Sequence, residues 1–123
     1  MLRRMEPDTV GTGRAEMLTH LRRGTLEYCI LASLREGPSY GQALARSLGA
    51  DRTLVDSEGT LYPLLARLRR RGWVETTWQD SPQGPPRRYY TLTPDGRDAL
   101  TGFMEVWAPF ASAVSRSLEG EAS

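Results

Sequence analysis

The segment Asp80-Ser81-Pro82-Gln83-Gly84-Pro85-Pro86 constrains the fold of this chain more than any other. Its prolines and glycine deny it both a helix interior and a central strand, because proline lacks the N–H that either ladder needs. On either side lie β-branched and aromatic residues, Trp73-Val74-Glu75-Thr76-Thr77-Trp78 before it and Arg87-Arg88-Tyr89-Tyr90-Thr91-Leu92 after it. Strand, turn-rich tip and strand read as a β-hairpin with a long loop. Neighbouring strand residues face opposite sides, so only one of the two tyrosines can turn inward, and Tyr90 is expected there with Leu92.

The rest of the chain carries helical periodicity. Residues 1–13, with Pro7, Gly11 and Gly13, show no apolar period and are expected to be a mobile tail. Met17, Leu18 and Leu21 suggest a short helix over 14–22, interrupted at Gly24. Leu26, Ile30, Leu31 and Leu34 give a strong helix capped by Thr25 and stopped by Gly37-Pro38. Ser39 and Gln42 have the spacing of a capping box for a second helix that ends at Leu48-Gly49. Leu54-Val55 reads as an apolar anchor or short strand. Ser57 is expected to cap a third helix, with Leu61, Leu64, Leu65 and Leu68 inward, Pro63 in the first turn and Gly72 as the stop. Thr93-Pro94 opens a last helix in which Leu100, Phe103, Trp107, Phe110 and Val114 recur at alternating steps of three and four. Such a stripe is a coiled-coil-like seam. Pro109 within it is expected to kink the helix or end its regular part. The order helix, helix, helix, hairpin, helix predicts a mainly α fold with a two-stranded β wing. Residues 14–92 then form a winged helix-turn-helix domain, 93–118 a C-terminal dimerisation helix and 119–123 a tail.

Composition narrows the function classes. With 123 residues, 39% hydrophobic and 25% charged, the chain suits one packed domain. No apolar run approaches the roughly 20 residues of a membrane span, and the charged N-terminus lacks a secretory pattern, so a cytoplasmic protein is expected. Cys29 has no second cysteine to pair with, His20 is the sole histidine, and there is no Lys to close a phosphate-binding loop. No enzyme activity, metal or cofactor is expected.

All 16 cationic side chains are arginine. Either GC-rich codon usage or the bidentate contacts arginine makes to phosphate and guanine would explain that. The net charge is only +1, but it is unevenly spread. Residues 57–92 hold six arginines against three acids, and residues 93–123 hold two against five. One surface can therefore face a polyanion while another cannot. On the third helix Arg67, Arg70 and Arg71 share a face, with Arg69 to the side. Thr60 and Tyr62 stand at its N-terminal end, the part such helices present to base edges. Arg87 and Arg88 flank the hairpin tip, within reach of a minor groove or its phosphates. A solvated helix face explains the same arginines without DNA.

Several stretches in order resemble the PadR-like family of transcriptional regulators: Leu21 to Leu31, Ser39-Tyr40-Gly41, Glu58-Gly59-Thr60-Leu61-Tyr62-Pro63-Leu64-Leu65-Ala66-Arg67-Leu68, and Gly84 to Thr93. The single short C-terminal helix resembles the smaller subgroup. The resemblance implies a repressor that binds palindromic double-stranded operators as a homodimer, paired through the C-terminal helix with help from the N-terminal one. It implies DNA contacts at Tyr40 and Gly41, at Gly59, Thr60, Tyr62 and Arg67, and at Gly84, Arg87 and Arg88. It also implies release by small planar aromatic effectors near the dimer interface, where Trp107 occupies the place of a pocket-lining aromatic residue. Packing in a dimer core explains Trp107 equally well. A winged helix used for protein interaction, without DNA readout, is the alternative function.

Overall fold

Leucine spacing builds the core. The computed structural model describes residues 7–50, 53–55 and 57–120. Helix α1 spans Pro7–Arg23 and α2 spans Leu26–Ser33. A two-residue strand β1, Ser39–Tyr40, leads into α3, Gly41–Leu48. A 3-10 turn at Glu58–Thr60 then runs into α4, Leu61–Arg70. Strands β2 (Val74–Ser81) and β3 (Gly84–Leu92) form the hairpin, and α5 covers Pro94–Glu119. Leu26, Ile30 and Leu31 of α2, with Leu34 just after it, meet Leu44 of α3, Leu61, Leu65 and Leu68 of α4, Val74, Tyr90 and Leu92 of the hairpin, and Leu100 of α5. Each fully buried leucine stabilises the fold by about 1.5–3 kcal/mol. Tyr90 and Leu92 are both inward, as alternation predicts.

Several local expectations change. The helix expected over 14–22 begins at Pro7, so residues 7–13 are helical rather than tail, and residues 1–6 lie outside the described residues. Proline is well suited to a first helical turn, and Gly11 and Gly13 cost a helix only about 1 kcal/mol each, so none of the three stops it. Ser39 does not cap α3. It belongs to β1, which pairs with β3 in the register Ser39↔Tyr90 and Tyr40↔Tyr89, and Tyr40 is the cap residue without a side-chain cap bond. The sheet therefore has three strands in the order β1-β3-β2 rather than two. The Thr25 hydroxyl donates back to the Leu21 carbonyl at 2.9 Å instead of capping α2. Ser57 bonds the Thr60 hydroxyl at 3.0 Å and offers no side-chain cap.

The hairpin tip is shorter than expected, because strand pairing continues to Ser81↔Gly84 and leaves Pro82-Gln83 as the turn. Between that pair and Gln79↔Arg87, Pro85 and Pro86 stand opposite Asp80, a bulge that tolerates residues without an N–H.

The root of α5 is pinned. Thr93 Oγ1 accepts from the Gly96 amide at 3.0 Å and donates to the Gly72 carbonyl at 2.7 Å. Gly96 must lack a side chain, since a Cβ there would run into the Trp73 carbonyl oxygen. Gly72, at φ 77°, takes the left-handed conformation that ends α4. Phe103 stacks on Tyr28 of α2 at 4.3 Å, after which α5 leaves the core. Pro109 does not end it, for the helix continues to Glu119. Among the described residues no helix is long and apolar enough to cross a membrane.

Candidate nucleic-acid interface

Helix α4 divides its polar residues between two flanks. Leu61, Leu65 and Leu68 are fully buried and fix its rotation. On the α2 flank, Arg67 and Arg71 both reach the Glu27 carboxylate, at 3.1 Å each. Glu27 is only 10% exposed at its side chain, so its charge requires these partners. Arg71 donates a hydrogen bond to Oε1, whereas Arg67 faces Oε2 as a charge without hydrogen-bond alignment. Arg71 also lies 4.9 Å over the Trp73 ring. The face expected to hold Arg67, Arg70 and Arg71 together is thus divided, because a near-buried acid on α2 draws two of them away. Both keep about half of their side chains exposed, 45% and 43%.

On the other flank, Tyr62, Ala66, Arg69 and Arg70 line a cleft with Arg88 and Tyr90. Strand alternation explains why Arg88 is there. The register puts Val74, Thr76 and Trp78 of β2 opposite Leu92, Tyr90 and Arg88 of β3, one face of the hairpin. Its lower part is core, and its upper part extends beyond the core beside α4. Arg88 stacks 4.9 Å over its cross-strand neighbour Trp78. Arg87 takes the opposite face and sits 4.2 Å over the ring of Tyr40, which also meets Tyr89 edge-on at 5.3 Å.

These faces converge on one groove of about 380 Å³ between the start of α3, the start of α4 and the wing. It brings together Tyr40, Gly41, Tyr62, Gly84, Arg87 and Arg88. Gly41 is buried beneath the Tyr62 ring, where an added Cβ would lie 2.7 Å from the phenol oxygen. The Tyr62 hydroxyl donates to Glu58 Oε2 at 2.6 Å. That bond pushes its ionisation up to about 12. Arg46 donates to the Tyr40 hydroxyl at 3.4 Å and, as the largest influence, draws its ionisation below the usual phenol value. Gly59 is exposed, and Thr60 is half-buried on the flank that also carries Arg22, Arg23 and Arg67. Arg67, Arg71 and Thr60 therefore stand apart from the wing groove.

Away from these cationic surfaces, α5 and α1 enclose an apolar groove of about 740 Å³. The expected seam splits here. Leu100 is 3% exposed and belongs to the protomer's own core, and Phe103 is held by Tyr28. Trp107, Phe110 and Val114 remain exposed and line the groove with Leu21 of α1. The seam residues closest to the α5 root are consumed by packing on α2, which the period alone could not reveal.

Residues 30–102 match the family model described as the transcriptional regulator PadR-like family. The chain belongs to that family. A PadR family transcriptional regulator from Eggerthella lenta is 36% identical, with 91% of this chain and 97% of that one covered and a TM-score of 0.76. A PadR-like transcriptional regulator from Bacillus cereus is 34% identical over 83% of this chain and 99% of its own, at a TM-score of 0.72. A PadR-like transcription factor from Bacteroides fragilis is 38% identical over 82% and 97%, at 0.67.

In this PadR-like chain the cleft and the groove hold further residues that sequence reasoning did not assign to the site. Arg69 joins Arg70 in the wing-side cleft, Trp78 carries Arg88, and Gln42 stands beside Gly41. Trp78 was legible only as a strand aromatic; it stays exposed and its pairing with Arg88 follows from the hairpin register. The contact of Arg46 with Tyr40 depends on how α3 turns back on β1 and leaves no mark in the sequence.

Proposed function

We propose that the protein is a sequence-specific DNA-binding repressor that acts as a homodimer on a palindromic operator. The supporting observation is the convergence of Tyr40, Gly41, Tyr62, Arg87 and Arg88 on one groove at the N-terminal end of α4. In that reading α4 enters the major groove N-terminus first, with Tyr62 and Thr60 at base edges or backbone. Arg69, Arg70 and Arg88 neutralise phosphates on the wing side. Arg67 and Arg71 contribute their exposed halves on the opposite flank, and Gly59 and Gly84 let the backbone come close. Arg87 and the wing tip reach the adjoining minor groove.

Pairing occurs through α5, where Trp107, Phe110, Val114 and Leu118 are exposed, assisted by Leu21 of α1. A monomer leaves this strip in water, and a second copy covers it. The pair sets two α4 helices about 34 Å apart, one turn of DNA. A small planar aromatic effector entering beside Trp107 changes the angle between the α5 helices, hence the reader spacing, and releases the operator. The protein then works in the cytoplasm and is nucleoid-associated when bound.

The test is a mobility-shift titration on duplex fragments from upstream of its own gene, with light scattering for stoichiometry. Two chains per retained fragment, competed poorly by mixed-sequence DNA, is the expected result. Equal affinity for all duplexes, or one chain per site, contradicts the reading.

A further inference from the structure

Glu58 is an odd residue to place where DNA docks. It is exposed, it stands in the 3-10 turn immediately ahead of α4, and it carries the charge of the phosphates it would approach. Its Oε2 takes the Tyr62 hydroxyl at 2.6 Å. A phenol has one O–H to give, and here it is given to the carboxylate. What Tyr62 still offers is lone pairs, and an ionised carboxylate offers nothing else. The ring cannot retreat toward α3, because it lies against Gly41 closely enough that a Cβ there would sit 2.8 Å from its edge carbon.

We propose that Glu58 and Tyr62 form an acceptor-only couple that makes the protein select bases bearing an amino group on the major-groove edge, adenine or cytosine, at one position of each half-site. This deepens the DNA-reading function above and rests on it. Adenine N6 and cytosine N4 are the donors of the major groove, whereas guanine O6 and N7 and thymine O4 present acceptors. Facing the couple, an amino group completes a hydrogen bond, and a keto edge sets lone pair against lone pair. Because every base pair places just one amino group in the major groove, the couple fixes which strand carries adenine or cytosine. Glu58 also repels phosphate, which lowers affinity for every non-operator sequence and so sharpens the difference between operator and bulk DNA. Tyr62, with its ionisation pushed up to about 12, keeps the shared proton at any physiological pH.

The experiment is selection of bound duplexes from a random-sequence library by wild type, E58Q, Y62F and R87A. Binding is then measured to the selected duplex with adenine replaced by purine, or cytosine by 2-pyrimidinone, at the preferred position. Wild type is expected to prefer adenine or cytosine over guanine or thymine there by about tenfold, and to lose about tenfold when the amino group is removed. In Y62F the penalty falls to about threefold, since the phenol oxygen is gone and only the Glu58 carboxylate is left to accept. E58Q also loses the preference, because its amide can donate to the phenol oxygen and free the hydroxyl to act as a donor. It further binds mixed-sequence duplex severalfold more tightly. R87A binds more weakly to all duplexes with the preference intact. An enriched motif with no amino-selective position, or one that persists in both E58Q and Y62F, overturns the proposal and leaves the DNA-reading function standing. Failure of wild type to enrich any motif overturns both. If either variant melts well below wild type by circular dichroism, the purine and pyrimidinone arms on the wild-type protein still decide the matter.

Discussion

A methyl group at position 41 would lie 2.7 Å from the Tyr62 hydroxyl oxygen, and the ring, not the backbone, is what can move. Gly41→Ala is therefore expected to lower DNA affinity about tenfold by displacing Tyr62, while stability changes by less than about 1 kcal/mol, since alanine is the better helix former. Unchanged affinity, measured by the same mobility shift, would count against Tyr62 as a reader. Gly96 behaves oppositely: its neighbour is the Trp73 carbonyl, so Gly96→Ala should destabilise by about 1–3 kcal/mol in urea unfolding.

The raised ionisation of Tyr62 has a signed consequence. Above about 10 the unfolded phenol gives up its proton while the folded one holds it until about 12, so stability from this group is lost as pH climbs through that window. A titration at 295 nm should show one tyrosine lagging the rest, and E58Q should return it toward them. None of these pairings was legible in the sequence, which placed Tyr62 at the N-terminal end of the third helix but did not single out Glu58 four residues earlier as its acceptor.

At the scale of elements, local chemistry was readable and long-range pairing was not. Thr93-Pro94 predicts the start of α5 correctly, because cap and first turn lie within a few residues of each other. Ser39 misleads for the complementary reason: β1 exists only by pairing with β3, some fifty positions away, and that contact displaces the capping box. The junction of α2 and α4 is a further case. Glu27 reads as a first-turn acid that suits the helix dipole, yet it also holds Arg67 and Arg71. Glu27→Gln should cost about 1–3 kcal/mol of stability by weakening a largely buried pair. It should also steepen the salt dependence of DNA binding by about one unit or less, as partly freed arginines gain phosphates. An unaltered salt slope would mean that this flank stays clear of the backbone.

For the whole molecule, the run of α2, α3 and α4, then hairpin, then last helix was legible because each of these elements carries its own period and its own stops. The division of labour between surfaces was not. The seam on α5 is a single stripe in sequence, but its first members pack within the protomer and only those from Trp107 onward are left for a second copy. If α5 pairs as proposed, replacing Trp107 and Phe110 together by glutamate should turn the proposed dimer into a species near 13.7 kDa by light scattering, with the helical spectrum retained. Loss of operator binding should follow, since one reader alone spans half a palindrome.

In the proposed interface the wing and α4 meet one duplex together. The most direct test is the slope of log affinity against log salt for wild type and for the double variant R87A/R88A. The account predicts weaker binding to every sequence and a slope flatter by about one to two units. A slope identical to wild type would mean that the wing never touches the phosphates, which contradicts the proposed interface.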